Sequence, residues 1–188
     1  MSEMFGPVVQ QGYVVPEVES AMQHWLARGV GPFAFVDIKD FPGLYCDEPI
    51  MAEMQAGFAY SGDQQIEVIT PSNEHPSIYQ DFLNEVPQGG LQHLAFWVDD
   101  IDSELAKLDN RGVRYRVWQR YGAPPTYEAH AYLDLLDHPG VMVQLMARSD
   151  FYDMMFGVLH AAAQDWDGVT DPIRVLDPQT GRLIARTG

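Results

Sequence analysis

One cysteine, Cys46, is all the chain holds, so no internal disulfide can form and the fold has to be held by packing. Its neighbours Asp47 and Glu48 are acidic, whereas a nucleophilic thiolate needs cations beside it. Cations are scarce throughout: 11 Lys and Arg stand against 27 Asp and Glu, for a formal net charge of −16. Such a surface repels nucleic acid and anionic membrane alike, and neither is expected as a partner. No apolar run approaches the roughly 20 residues of a membrane span. The opening MSEMFGPVVQ has neither the basic stretch nor the apolar core of a secretory signal, so the expected location is cytoplasmic. A glycine-rich phosphate loop, a Gly-x-Ser-x-Gly elbow and a Cys-x-x-Cys pair are all missing, which leaves nucleotide hydrolysis, α/β-hydrolase chemistry and zinc ribbons without support. A small-molecule partner remains the default.

What the chain does have is an apolar content of 46% over 188 residues, ample for one large domain or two fused modules. It also repeats itself. QQGYVVPEVESAMQHWLARGV, Gln10 to Val30, lies without a gap over HLAFWVDDIDSELAKLDNRGV, His93 to Val113, and both segments end in Arg-Gly-Val. Each reads as a strand, an acidic turn and an amphipathic helix closed by glycine. Val18, Ala21, Met22, Trp25 and Leu26 form the apolar stripe of the first helix, and Ile101, Leu105 and Leu108 that of the second; such stripes are core packing. Strand chemistry follows each helix: PFAFVDI, GFAYS and QQIEVIT in the first half, YRVW, HAYLDLL and VMVQLM in the second.

The expected fold class is therefore α+β, with two tandem βαβββ modules over residues 1–75 and 90–147. A polar, proline-marked linker spans 76–89, with a short helix around Ser77 to Leu83. Residues 148–188 form an extension: a helix with Asp150 as N-cap, and a hairpin turning through DPQTG. IKDFPGLYCDEPIMAEM and QRYGAPPTYEAH are expected as pocket loops.

A lone histidine in an apolar strand, such as His93 in LQHLAFWV, is ordinarily a core residue with both nitrogens satisfied. The repeat changes its standing, because it sets His93 opposite Gln10 and pairs Glu67 with Gln144 in the last strand of each half. If each sheet curls into a half-cup, these four polar side chains converge in a cleft with Tyr60, Trp97 and Met146 on its walls. His130 and Tyr132 face the same cleft if no bulge intervenes.

GYVVPEVESAMQHW, LQHLAFWVDDID and DHPGVMVQLM together resemble the vicinal oxygen chelate superfamily, which contains glyoxalase I, methylmalonyl-CoA epimerase, extradiol dioxygenases and bleomycin-resistance proteins. The resemblance runs from about Val8 to Ala147. It implies the glyoxalase/bleomycin-resistance/dioxygenase fold and a divalent metal ion held at Gln10, Glu67, His93 and Gln144. Two positions depart from the pattern: the first is often His and is Gln10, and the fourth is usually Glu and is Gln144. The set carries one negative charge, and its imidazole favours a transition metal.

The resemblance implies metal-assisted proton transfer beside a carbonyl or thioester, as an isomerase, epimerase or lyase. Because an amide is no general base, the catalytic role passes from Gln144 to Glu67. The alternative is a non-catalytic pocket that binds or sequesters a small molecule. An extradiol dioxygenase needs two histidines and a carboxylate at its iron, and only His93 occupies a ligand position. RGVRYRVWQR carries Arg111, Arg114, Arg116 and Arg120, either an anion-binding handle or a charged strand edge. The aromatic and methionine side chains of residues 151–166 suggest a homodimer.

Overall fold

The computed structural model describes residues 5–137, 140–177 and 180–186. The repeated segments form strand β1 (Gln10–Val14) with helix α1 (Val18–Leu26), and strand β5 (Gly90–Val98) with helix α3 (Ile101–Asn110). Each helix starts at an acidic cap: Glu17 accepts from the amides of Glu19 and Ser20, and Asp100 from that of Ser103. Each ends where Gly29 or Gly112 takes up positive φ, 79° and 68°, and the next valine amide returns to a helix carbonyl.

Strands β2 (Phe33–Tyr45), β3 (Glu48–Ser61) and β4 (Gln64–Pro71) follow α1; helix α2 (Ile78–Glu85) precedes β5; and β6 (Tyr115–Tyr121), β7 (His130–Leu135) and β8 (Met142–Ala147) follow α3. Helix α4 (Asp150–Gln164) and the strands β9 (Ile173–Leu176) and β10 (Leu183–Ala185) complete the chain. Among the described residues, one mixed sheet of ten strands runs β10-β9-β2-β3-β4-β1-β5-β8-β7-β6. Pairing of Gly43–Tyr45 with Gln119–Tyr121 joins β2 to β6 and curls the sheet into a barrel. β1 pairs parallel with β4 and antiparallel with β5, and β5 pairs parallel with β8.

Strand alternation decides which residues reach the interior. On β4, Ile66 and Val68 lie on the face covered by α1, where Val68 packs with Val18 and Met22, while Glu67 and Ile69 turn inward. On β8, Val143 and Leu145 pack with Ile101, Leu105 and Leu108 of α3, leaving Gln144 and Met146 inward. β7 repeats the division, with Ala131 and Leu133 outward against α3 and His130 and Tyr132 inward. A fully buried side chain such as Leu108 contributes roughly 1.5–3 kcal/mol, which is what holds each helix to its sheet.

Two boundaries differ from expectation. IKDFPGLYCDEPIMAEM is no loop: it continues β2 and β3 into a long hairpin turned at Cys46 and Asp47, whose φ values are 50° and 67°. Pro42 and Gly43 disguise the strand in the sequence, yet Gly43 is required there, since a Cβ would meet the Arg120 carbonyl at 2.6 Å. Ser149, not Asp150, caps α4, its hydroxyl accepting from the Tyr152 amide. The terminal hairpin forms with Leu183 opposite Leu176, although residues 178–179 of its turn, like residues 138–139 of DHPGVMVQLM, lie outside the described residues.

Candidate functional site

A cavity of about 360 Å³ fills the barrel interior. Its polar wall takes Gln10 from β1, Glu67 from β4, His130 and Tyr132 from β7 and Gln144 from β8, with Met146 beside them. The opposite wall is apolar, and α4 supplies Phe151, Tyr152, Met155 and Phe156 to it. Asp37 and Lys39 border the cavity from β2, where a bulge between Ile38 and Phe41 shifts the register.

His93 lies behind this wall, fully buried, and touches Glu67. Its Nδ1 is 2.7 Å from Gln92 Oε1, an atom that only accepts, while the Gln92 amide nitrogen points to Met142 Sδ at 3.7 Å. With the Gln92 amide so turned, Nδ1 donates to it, and Nε2 faces Glu67 Oε2 at 3.1 Å. A proton on one of the two atoms, or a metal ion held by both, satisfies this contact. Gly12 makes room for the ring: a Cβ on Gly12 would stand 2.0 Å from two of its atoms.

A chain of hydroxyls supports the other side. Tyr79 of α2 donates to the Tyr132 hydroxyl at 2.8 Å, and the Gln144 amide nitrogen donates to that hydroxyl at 2.7 Å. Gln10 donates to Gln65 Oε1 at 2.6 Å, and Gln65 to the Tyr60 hydroxyl at 3.3 Å. Three buried atoms of the cavity residues have no partner: Gln10 Oε1, Gln144 Oε1 and His130 Nε2. Such orphans cost on the order of 1–3 kcal/mol each unless a ligand or ion satisfies them.

Burial, with electrostatic repulsion from the neighbouring His93 as a lesser cause, pushes the His130 imidazole down to about 4, so His130 is neutral at pH 7. Burial pushes the Tyr152 phenol up to about 12 and raises Tyr79 and Tyr132 well above the usual phenol range. These phenols stay protonated, and Tyr79 donates its proton to the Tyr132 hydroxyl.

Of the residues singled out from the sequence, Gln10, Glu67, His130, Tyr132, Gln144 and Met146 line the cavity, and His93 reaches it through Glu67. Tyr60 and Trp97 do not line it. Both are covered by α4, Tyr60 by His160 at 4.9 Å between ring centroids and Trp97 by Phe156 at 4.7 Å. The arginines in and just before β6 also lie elsewhere: Arg114 pairs with Asp137, Arg120 with Asp102, and Arg116 stacks over Trp118. Gly12, Gln65, Gln92 and Tyr79 were not anticipated. A mid-strand glycine marks close approach, so Gly12 left a signal in QQGYVV; the partners of Gln65, Gln92 and Tyr79 left none. Among the described residues no three His, Cys, Asp or Glu side chains gather as a metal-ligating group, and any ion at this wall draws on amide oxygens as well.

Residues 9–132 match the family model described as the glyoxalase/bleomycin resistance protein/dioxygenase superfamily. Among solved structures, the chain is similar to a hypothetical protein from Bacillus halodurans at 16% identity, over 77% of this chain and 95% of that one, with a TM-score of 0.55. It is similar to methylmalonyl-CoA epimerase from Mycobacterium tuberculosis at 18% identity, over 81% and 95% of the two chains, with a TM-score of 0.54. A Streptomyces coelicolor methylmalonyl-CoA epimerase variant in complex with 2-nitronate-propionyl-CoA gives 16% identity over 77% and 99%, with a TM-score of 0.53. At these identities the likeness is one of fold. No curated protein matches the sequence.

Proposed function

The chain belongs to the glyoxalase/bleomycin resistance protein/dioxygenase superfamily, and from that premise we propose that its barrel cavity is an active site for metal-assisted proton transfer beside a carbonyl of a small metabolite. The observation that carries the reading is the buried contact of His93 Nε2 with Glu67 Oε2 at 3.1 Å. The donor chemistry fits a divalent ion: Glu67 shares one cavity wall with two partnerless amide oxygens, on Gln10 and Gln144, and His93 contacts Glu67 from behind. Gln10, Glu67, His93 and Gln144 would hold the ion, and when bound it polarises a carbonyl oxygen and makes the adjacent C–H acidic.

Glu67 takes the proton from that carbon, the C–H electron pair passing into the enolate, and returns it to another face or atom of the substrate. This role requires a carboxylate oxygen of Glu67 free of the ion. His93, fixed by Gln92 and by the glycine gap at Gly12, holds Glu67 in place. The Tyr79–Tyr132–Gln144 chain fixes the Gln144 amide. Phe151, Tyr152, Met155 and Phe156 exclude water from above.

The site reading goes with two modules, 1–75 and 90–147, joined by 76–89 and followed by an extension, 148–188. The parallel pairings of β1 with β4 and β5 with β8 support it. Exposed Phe151, Met154 and Val158 on α4 support a homodimer. No helix among the described residues is long and apolar enough to cross a membrane, and a cytoplasmic location rests on the sequence features alone.

Metal analysis of the untreated protein and solvent-deuterium exchange beside the carbonyl of a screened ketone test the function. Expected are stoichiometric divalent metal and an exchange rate that falls about 10²–10⁴-fold in Glu67→Gln. Metal-free protein whose exchange is indifferent to Glu67→Gln overturns the mechanism. Tight ligand binding with no exchange establishes instead the non-catalytic, sequestering reading.

A further inference from the structure

The cavity is polar at one end and apolar over the rest, and its charges are already spoken for. Only Asp37, Lys39 and Glu67 among its lining residues are ionisable as Lys, Arg, Asp or Glu. Lys39 is the sole cation of the three, and its ammonium is held by Glu53 at 2.9 Å and by Asp37 at 3.3 Å. Glu67 is engaged with His93. Arg148 lies over Trp97 and pairs with Asp153, outside the lining. A phosphate or carboxylate on the body of a ligand would lose its hydration in this cavity and meet no free cation, in a protein whose net charge is −16.

Aromatic rings surround the apolar part from both sides. Phe41, stacked on Tyr121 at 5.0 Å, and Phe58 come from the sheet, while Phe151, Tyr152 and Phe156 come from α4. Flat rings between such walls match a flat, ring-containing guest better than a flexible chain. The volume, about 360 Å³, is at the small end of ligand pockets, about 300–1,000 Å³. α4 lies C-terminal to the residues 9–132 that the family model covers.

We infer that the substrate is an uncharged, ring-containing carbonyl compound, its carbonyl at the Glu67 end and its rings against α4, and that acyl-CoA thioesters and other ligands ionised on the body are excluded. This rests on the proposed site for its orientation but is read out by binding alone.

Isothermal titration with acetylnaphthalene, with the analogue bearing a carboxylate on the far ring, and with acetyl-CoA tests it. Acetylnaphthalene is expected to bind about tenfold or more tighter than its carboxylated analogue, and acetyl-CoA not to displace it. Phe151, 39% exposed at the rim, tolerates a charge, so Phe151→Lys should narrow that gap about tenfold; the double variant Asp37→Asn, Glu53→Gln, which frees Lys39, should do the same. Equal binding of the carboxylated analogue, displacement by acetyl-CoA, or no binding of acetylnaphthalene overturns the inference. Selective binding of the neutral ring with no deuterium exchange upholds it while removing the proton-transfer reading.

Discussion

Gly12 and His93 face each other across β1 and β5, and the His93 imidazole occupies the volume that a Cβ on Gly12 would take, 2.0 Å away. The ring cannot move aside without giving up Gln92 or Glu67. Gly12→Ala should therefore cost about 1–3 kcal/mol by overpacking and lower deuterium exchange as well. Urea unfolding followed by tryptophan fluorescence measures the first, and a variant of unchanged stability would show that the barrel relaxes around the ring.

Tyr79 lines the cavity and donates to Tyr132, so removing its hydroxyl tests the chain of support. Tyr79→Phe keeps the packing and removes the hydrogen bond, and it should cost about 0.5–1.5 kcal/mol in unfolding experiments. Ligand affinity should change less than stability, because Gln144 keeps its bond to Tyr132.

His130 gives the fold a pH dependence. Its imidazole ionises near 4 when folded, against about 6.5 in the unfolded chain. The unfolded state therefore binds the extra proton first as the solution is acidified. The stability from keeping His130 neutral is complete above about pH 6.5 and is lost progressively as the pH falls toward 4. Thermal unfolding compared at these two ends should show a smaller difference in His130→Gln than in the native sequence.

Gln144 stands where the related pattern has a carboxylate, and its Oε1 has no partner. Gln144→Glu adds a negative charge to the donor set, and its affinity for a divalent ion should rise about tenfold. Competition with a chromogenic chelator reads the change directly; equal affinity would place the ion away from this residue.

Much of the architecture was legible because it is local or repeated. Alternation in QQIEVITP and VMVQLMAR put Glu67 and Gln144 on equivalent inward positions, and the Arg-Gly-Val endings marked both helix ends. Tyr60 and Trp97 share the parity of inward residues, yet α4 occupies the space in front of them. Parity tells which face a side chain takes, and nothing about which segment already covers that face.

The amino-acid sequence by itself determined the strands, the amphipathic helices, the internal repeat and the shortage of cations, since these follow from periodicity, capping and composition. Only the tertiary structure decided that Gln92 orients His93, that Gly12 leaves space for it, that Gln10 turns to Gln65, and that α4 walls the cavity with aromatic rings. Each of these depends on strand register or helix docking between segments distant in the chain. Such contacts are set by the packing of the whole barrel, which no local pattern encodes.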